Sequence, residues 1–300
     1  MPVQEDKCGF VAVLGAPNAG KSTLINLLVG AKVSIVTPKV QTTRFRILGI
    51  ALREHVQVIL VDTPGIFNPK RRLERAMVKA AWGALRDADI VSVIVDVHRK
   101  DLQETLRILD YLQRADKKPI LILNKIDLVP GERLLELAAE LTKGREIEKT
   151  FMISATLGDG VEDFMNFCTQ SLPKSPWLYP ADQITNLPQR LMAAEITREK
   201  VYLYLHQELP YSIAVETDTW ETFKNGSIKI HQTIYVQRES QKPIVLGKGG
   251  KQIKLIGEKS RQDLSTLLNC PVHLFLHVKV QENWVERPGH YKEVGLDFDA

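Results

Sequence analysis

Eight consecutive residues near the start of the chain have the spacing of a phosphate-binding loop. They read Gly15-Ala16-Pro17-Asn18-Ala19-Gly20-Lys21-Ser22 and fit the pattern G-x-x-x-x-G-K-[ST]. Glycines let the backbone wrap a polyphosphate, so that successive N–H groups face its charge. We expect Lys21 to reach the β- and γ-phosphates and the hydroxyl of Ser22 to ligate Mg²⁺, with Thr23 completing the loop. The segment predicts a site for a nucleoside triphosphate.

A second segment, Asp62-Thr63-Pro64-Gly65-Ile66, follows a run of buried-type residues and places a carboxylate at its end. Asp62 can hold Mg²⁺ through a water molecule, because carboxylate oxygens suit this cation. The N–H of Gly65 can bond a γ-phosphate, since glycine allows close approach of the backbone. Together with the phosphate-binding loop, this segment predicts a magnesium-nucleotide site.

A third segment, Asn124-Lys125-Ile126-Asp127, bears on the choice of base. A carboxylate here can accept hydrogen bonds from N1–H and from the exocyclic amine of guanine, two donors in a pattern that adenine lacks. We therefore expect GTP to be preferred over ATP, because a polar pocket rejects a ligand that leaves its groups unpaired. Ser154-Ala155 ends the next predicted strand and could complete the base pocket.

These segments need strands that end at one edge of a sheet. Short runs rich in β-branched residues predict such strands, and amphipathic stretches fall between most of them. The pattern predicts an α/β domain with a mostly parallel sheet and helices on both faces, whose ligands bind at the carboxyl ends of the strands. The predicted strands are 10–14, 56–61, 90–95, 120–123 and 151–153, and the predicted helices are 22–29, 73–85, 102–114, 134–141 and 161–171.

Composition changes between Leu172 and Pro188, where four prolines forbid a continuous helix or a central strand. A helix is predicted at 189–206, and strict alternation predicts half-buried strands at 228–236 and 272–280 with a helix between them. We therefore predict a nucleotide-binding domain at 1–172, a proline-rich linker at 173–188 and a smaller α+β domain at 189–300.

The smaller domain contains a basic segment. Between 242 and 261 six lysines and arginines stand against the single acid Glu258, which would attract nucleic acid or an anionic surface. Charge alone favours a solvated helix face. However, Gly247-Lys248-Gly249-Gly250 has the pattern of a G-x-x-G loop, which clamps single-stranded RNA through its backbone, and Lys251 and Lys254 follow it. These six residues are the predicted RNA site.

The nucleotide segments, in this order, resemble the motifs of translation-factor-type GTPases, and the G-x-x-G loop resembles that of KH domains. A GTPase domain, a proline-rich linker and a KH domain form the arrangement of the Era GTPases, and the resemblance covers essentially the whole chain. Gln41-Thr42-Thr43-Arg44 is similar to that family's switch segment. The resemblance implies GTP hydrolysis to GDP, coupled to binding of small-subunit (16S) ribosomal RNA near its 3′ end, during subunit assembly and rRNA maturation.

The resemblance also implies particular residue roles. One switch threonine would bind Mg²⁺ and the γ-phosphate, with Thr43 our choice and Thr42 the alternative. Lys21, Thr43 and Gly65 would then serve catalysis, and Asn18 lies where potassium-dependent relatives hold K⁺ against the phosphates; bracing the loop is its other possible role. Ile66 occupies the place of the Ras-like glutamine that orients water, and cannot form a side-chain hydrogen bond. Turnover without a partner should be slow, roughly 10⁻⁴ to 10⁻² per second.

Composition and cysteine content restrict the class of protein and its cellular location. The chain of 300 residues is 44% hydrophobic and 25% charged, with a formal net charge of +4, as in ordinary soluble proteins. Its longest apolar run is far shorter than a membrane span, the first residues do not form a secretory signal, and three scattered cysteines favour a reducing compartment. We expect a cytoplasmic monomer, with peripheral contact to an anionic membrane left open.

Two other functions fit parts of this pattern. In the first, the chain is an RNA chaperone or scaffold in which GTP is mainly structural. The second is a GTPase like the tRNA-modifying relatives, which would need an added catalytic domain. Stimulation of GTP turnover by RNA or by ribosomal subunits separates the switch from the scaffold.

Overall fold

A strand that runs directly into the phosphate-binding loop lies inside the larger of two sheets. The computed structural model describes residues 5–205, 213–282, 284, 288–293 and 295–300. The larger sheet has the order β2-β3-β1-β4-β5-β6, and all its pairs are parallel except β2 with β3. Its strands are Lys7–Leu14 (β1), Ile47–Arg53 (β2), Val56–Asp62 (β3), Ile90–Asp96 (β4), Ile120–Asn124 (β5) and Lys149–Ile153 (β6).

Helices cover both faces of this sheet, as predicted. They are Lys21–Val29 (α1), Arg72–Gly83 (α2), Gln103–Arg114 (α3), Gly131–Thr142 (α4) and Val161–Ser171 (α5). Leu24 of α1 and Phe164 of α5 belong to one fully buried apolar cluster, and Leu112 of α3 and Leu137 of α4 belong to another. The apolar stripe of each helix therefore fixes it against the sheet and leaves the carboxyl ends of the strands for a ligand.

Strand β2 is the element of this sheet that the sequence analysis did not predict. It forms a hairpin with β3 through residues 54–55, where Glu54 has a φ of 49°. A Cβ on Gly49 would lie 2.8 Å from the side chains of Ile25 and Val29, so this glycine permits α1 to pack closely on β2. The strand depends on a partner and on a packing contact that its own residue pattern does not reveal.

The smaller sheet has three strands in the order β7-β8-β9, with β7 and β8 antiparallel and β8 and β9 parallel. They are Ala214–Thr222 (β7), Ile228–Val236 (β8) and Val272–Val280 (β9). The bounds of β8 and β9 confirm the predictions, whereas β7, with six polar residues among its nine, was not predicted. The helices are Gln189–Tyr204 (α6), Lys242–Leu246 (α7), Lys251–Leu268 (α8) and Pro288–Glu293 (α9). The predicted end of α6 at 206 lies outside the described residues.

The apolar face of the smaller sheet forms the second core. Ile234 and Val236 of β8 are fully buried with Val245 of α7 and Ile256 of α8. Ile230 of β8 packs in a neighbouring cluster with Met192 and Ile196 of α6 and Leu264 of α8. The three helices therefore cover one face of this sheet, and its other face carries the alternate side chains.

Contacts between Cα atoms divide the chain into two units. The first comprises Met1–Ser34, Thr43–Asn186 and Lys292–Ala300, and the second comprises Ile35–Thr42 and Leu187–Tyr291. Residues of the proline-rich segment pair with the first unit, because Lys174 forms a bridge with Lys7 and Thr185 with Gly49. Among the described residues, no helix is long and apolar enough to span a membrane.

Candidate nucleotide and RNA sites

The phosphate-binding loop connects β1 to α1 and buries its lysine. Lys21 is the first residue of α1 and is only 6% exposed. Its Nζ donates hydrogen bonds to the carbonyl oxygens of Gly15 at 3.1 Å and Ala16 at 2.8 Å. Burial lowers the pKa of Lys21 to about 8. A polyphosphate in the loop would stabilise the ammonium form further, because a nearby negative charge raises the pKa of a lysine.

Two glycines allow this loop to meet its neighbours. Gly20 has a φ of +103°, and a Cβ on it would lie 2.1 Å from Nδ2 of Asn124. A Cβ on Gly65 would lie 2.8 Å from the backbone nitrogen of Pro17, and the N–H of Ile66 donates to the carbonyl of Gly15 at 3.0 Å. The Asp62–Ile66 segment therefore lies directly against the phosphate-binding loop.

Three oxygen-bearing side chains meet beside the start of α1. The Ser22 hydroxyl donates to Oδ2 of Asp62 at 2.7 Å and lies 3.0 Å from the hydroxyl of Thr43, whose Oγ1 is 3.3 Å from the same carboxylate oxygen. Asp62 is completely buried, its Oδ1 has no hydrogen-bond partner among the described residues, and burial raises the pKa of its carboxyl group. An unsatisfied buried carboxylate oxygen with two hydroxyls fits Mg²⁺, which would supply the missing charge.

The two switch threonines make different contacts. The Thr42 hydroxyl donates to the carbonyl of Lys39 at 2.7 Å and lies 2.6 Å from the hydroxyl of Thr37. The Thr42 carbonyl accepts a hydrogen bond of 2.6 Å from the Arg198 guanidinium of the second unit, to which residues 35–42 belong. Of the two candidates, therefore, the Thr43 hydroxyl faces Ser22 and Asp62, and the Thr42 hydroxyl does not.

The side chain of Asn124 links two loops of the nucleotide site. Its Nδ2 donates to the carbonyl of Ala19 at 2.8 Å, and its Oδ1 accepts from the N–H of Ala155 at 2.9 Å. Asp127 lies in the short 3₁₀ turn Ile126–Leu128 with an exposed side chain. The carboxylate of Asp127 is thus available to a base, while Asn124 holds the phosphate-binding loop and the Ser154–Ala155 loop together.

Asp96 is a residue of this site that the sequence analysis missed. It ends β4, and its Oδ2 accepts a hydrogen bond of 2.5 Å from Nζ of Lys125, a residue with a φ of 70°. Asp96 therefore holds Lys125, which directly precedes the 3₁₀ turn Ile126–Leu128. We call this turn, which contains Asp127, the base-reading turn. A carboxylate directly after a buried strand is the same signal that identified Asp62 and could have identified it.

The remaining predicted residues lie around the same loops. Thr63 is buried and donates to the carbonyl of Val13 at 2.8 Å, and the Ser154 hydroxyl accepts from the N–H of Leu157 at 3.2 Å. Asn18 is exposed in the phosphate-binding loop with a φ of 62°. Ile66 is buried in the apolar core.

The G-x-x-G segment forms a tight turn between α7 and α8. Gly247, Gly249 and Gly250 all have positive φ values, and the N–H of Gly250 donates to the carbonyl of Gly247 at 3.0 Å. A Cβ on Gly247 would lie 2.9 Å from the backbone nitrogen of Gln252, whereas one on Gly249 would meet no atom of the described residues within 4 Å. The turn thus leaves open space at Gly249. The side chains of Lys248, Lys251 and Lys254 are exposed beside it.

Comparison with known families assigns both parts of the chain. The model of a family described as 50S ribosome-binding GTPase matches residues 10–125, and that of the KH domain matches residues 208–285. A GTPase Era from Sinorhizobium medicae is 54% identical over 292 residues, which cover 97% of this chain and 94% of the relative. The chain belongs to the GTPase Era family. A GTPase Era from Maricaulis maris is 50% identical over 308 residues, covering 98% of each chain.

Solved structures of Era have the same fold. A crystal structure of Era in complex with MgGDPNP and nucleotides 1506–1542 of 16S ribosomal RNA has a TM-score of 0.91 and 38% identity, covering 97% of this chain and 99% of that one. Era from Aquifex aeolicus bound to GDP and AlF₄⁻ has a TM-score of 0.90 and 38% identity, with coverage of 96% and 99%. This Era-family chain is therefore a GTP-binding GTPase with a KH domain, which confirms the predicted fold class and activity.

Proposed function

We propose that this Era-family GTPase is a slow molecular switch whose KH domain binds the 3′ end of small-subunit ribosomal RNA during assembly of that subunit. The observation that carries the proposal is the meeting of Lys21, Ser22, Thr43 and Asp62 around one phosphate-binding loop, in a chain that also presents an open G-x-x-G turn. An Era relative of the same fold was crystallised with a 16S ribosomal RNA fragment, which supports the choice of RNA.

In the nucleotide site, Ser22 and Thr43 would supply hydroxyl oxygens to Mg²⁺, and Asp62 would hold it through water. Mg²⁺ supplies positive charge at the β- and γ-phosphates when bound. Lys21 would stabilise charge on the same phosphates, and the N–H of Gly65 would hydrogen-bond the γ-phosphate. Since Ile66 offers no hydrogen bond to water, we expect basal turnover to be slow and to rise when a partner is bound.

Asn18 would contribute its side-chain oxygen to a K⁺ ion against the phosphates. Its exposed position in the phosphate-binding loop supports this proposal. A K⁺ ion there would add positive charge beside the phosphates, which the apolar side chain of Ile66 cannot supply. The site would then use Mg²⁺ and K⁺ together.

The test is GTP turnover by the full chain with and without a single-stranded RNA that ends in the 3′ sequence of small-subunit rRNA. We expect the RNA to raise turnover, and Lys21→Ala, which removes the cation beside the phosphates, to abolish both basal and stimulated turnover. Turnover that is identical with and without RNA and with and without small subunits would contradict the switch and favour the scaffold. Contact with an anionic membrane would use the same exposed lysines, and binding to anionic vesicles at low salt would detect it.

A further inference from the structure

Three rings lie nearly parallel on the smaller sheet. His231 of β8 stacks on Phe275 of β9 with ring centroids 4.8 Å apart and an angle of 16° between the rings. The same His231 ring lies 6.1 Å from that of His277, at an angle of 9°. The parallel register places His231 beside Phe275 and Thr233 beside His277, which brings the rings of the two strands together. We call His231, Phe275 and His277 the ring row.

The ring row lies on the sheet face opposite the helices. Along β9 the apolar residues Leu274, Leu276 and Val278 pack in the second core, whereas Phe275 and His277 alternate with them and are exposed. Phe275 is 48% exposed, a large fraction for a phenylalanine in a strand. The rings therefore do not serve the core of this domain, and Phe275 and His277 are exposed at its surface.

The charges around the ring row are mixed, with a lysine at the edge of the sheet. Eight side chains of β8 and β9 point to this face, and the charged residues among them are lysines. Lys279 is exposed, and Lys229 forms an ion pair of 3.6 Å with Glu221 of β7. The acids lie on the neighbouring strand β7, where Asp218 accepts a hydrogen bond of 2.7 Å from Thr233, so among the described residues the unpaired positive charge of this face lies at Lys279 on the edge strand β9. The eight residues are Lys229, His231, Thr233, Tyr235, His273, Phe275, His277 and Lys279.

We propose that the ring row is a second binding surface for single-stranded RNA, on which bases stack. A base has a flat π-face that continues a row of parallel rings, and its phosphate matches the cationic edge at Lys279. A KH loop clamps about four nucleotides, so a longer strand needs further surface. The α7 and α8 helices, which flank the G-x-x-G turn, pack on the other face of the sheet, and the two surfaces are therefore distinct. This inference rests on the proposed RNA binding.

Binding of fluorescent RNA to the full chain tests the ring row. The probes are an RNA of about twelve nucleotides, too long for the G-x-x-G turn alone, and one of about four nucleotides. Each carries 2-aminopurine, whose fluorescence falls when it stacks. Phe275→Leu keeps the apolar bulk and removes the ring. We expect it to lower the affinity for the longer RNA by roughly 5- to 100-fold and to reduce the quenching of 2-aminopurine, because one base stack is lost. The short RNA should bind as before.

Three further variants sharpen this experiment. Phe275→Trp retains a larger ring and should bind the longer RNA at least as well as the wild type, whereas His277→Ala should weaken it. Tyr111→Leu is the matched control, since Tyr111 is 47% exposed on α3 of the GTPase unit and should have no effect. Thermal unfolding of each variant checks that the KH domain remains folded.

Several outcomes would contradict the proposal that the ring row binds RNA. One is an unchanged affinity for the longer RNA in both Phe275→Leu and His277→Ala. Another is an equal loss of affinity for the longer and the shorter RNA. If these variants instead change the sedimentation of the free chain while RNA binding stays the same, the face is an interface with a second copy and the proposal is wrong. Failure of the short RNA to bind the wild type would contradict the G-x-x-G site alone, because the effect of Phe275→Leu on the longer RNA would remain measurable.

Discussion

At the scale of single residues, the polar side chains of Asn124, which precedes the base-reading turn, and Asp127, which lies in it, make different contacts. Asn124 uses its amide to join the carbonyl of Ala19 to the N–H of Ala155. Asp127 keeps an exposed carboxylate. We therefore expect the choice of base to depend on Asp127, with Asn124 positioning the loops around it.

Asp127→Asn should change the preferred nucleotide from GTP to xanthosine triphosphate. The amide of asparagine donates a hydrogen bond, and the 2-oxo group of xanthine accepts one where the guanine amine donates. We expect the preference to shift by roughly 10²-fold or more, measured as the ratio of the two dissociation constants. As the control, Asp127→Ala should bind both nucleotides weakly. A variant Asp127→Asn that still prefers GTP would show that another group reads the base.

Asn18 gives a prediction about cations. Replacing Na⁺ by K⁺ should raise the rate of GTP hydrolysis if its side-chain oxygen holds the ion. Asn18→Gly should remove the difference without straining the loop, because glycine tolerates the φ of 62° at this position. Asn18→Asp, which keeps an oxygen, should retain the difference. Equal rates of the wild type in the two salts would leave Asn18 with a structural role.

At the scale of elements, helix α5 shows how burial holds a titratable group neutral. Cys168 is fully buried in the core beneath the larger sheet, and burial raises the pKa of its thiol to about 12. An unfolded cysteine ionises near a pH of about 8.5. The pKa of this thiol is higher in the folded state than in the unfolded state. The contribution of the neutral thiol to the stability of the native state is therefore complete below about pH 8.5 and decreases as the pH rises toward 12.

The native state should therefore lose about 2 kcal/mol from this thiol between pH 7 and pH 10. Urea unfolding of the wild type and of Cys168→Ala at both pH values measures it. The variant is less stable at pH 7 because it leaves a cavity, but its stability should fall less with pH. The same decrease in both proteins would show that the thiol does not remain neutral in the folded state.

At the scale of the whole molecule, the chain combines two units with separate cores and separate candidate ligand sites. The nucleotide residues Lys21, Ser22, Thr43 and Asp62 all belong to the first unit, and the G-x-x-G turn belongs to the second. A change confined to the turn should therefore spare the chemistry of the first unit.

Gly249→Asp should abolish binding of a short single-stranded RNA while basal GTP hydrolysis persists. The new carboxylate would occupy the open space at Gly249 and repel phosphate, and aspartate tolerates the left-handed φ of 61° at this residue. Gly249→Asn, similar in size but neutral, separates charge from bulk and should retain more binding. Full-strength binding of the short RNA by Gly249→Asp would show that the KH domain reads RNA elsewhere.

The lysines beside the turn should account for the salt dependence. Lys251 and Lys254 are exposed in the first turn of α8. Replacing both by alanine should flatten the slope of log affinity against log salt concentration by roughly one to two units, because fewer counterions are released. Lys100, which is exposed in the GTPase unit, provides a control substitution that should leave the slope unchanged. An unchanged slope in the double variant would remove these lysines from the RNA interface.

The sequence by itself determined the phosphate-binding loop, the base-reading turn, the G-x-x-G turn and most of the strands. These depend on consecutive residues: glycines that permit a local backbone path, or apolar runs and alternation that show which side is buried. Tertiary structure alone decided the rest. Tertiary contacts decide that Thr43 rather than Thr42 faces Asp62 and that Asn124 joins Ala19 to Ala155. They also decide that β2 and β7 are strands, because each of these features depends on partners distant in sequence. Such contacts depend on strand register and on packing between elements, which no local pattern specifies.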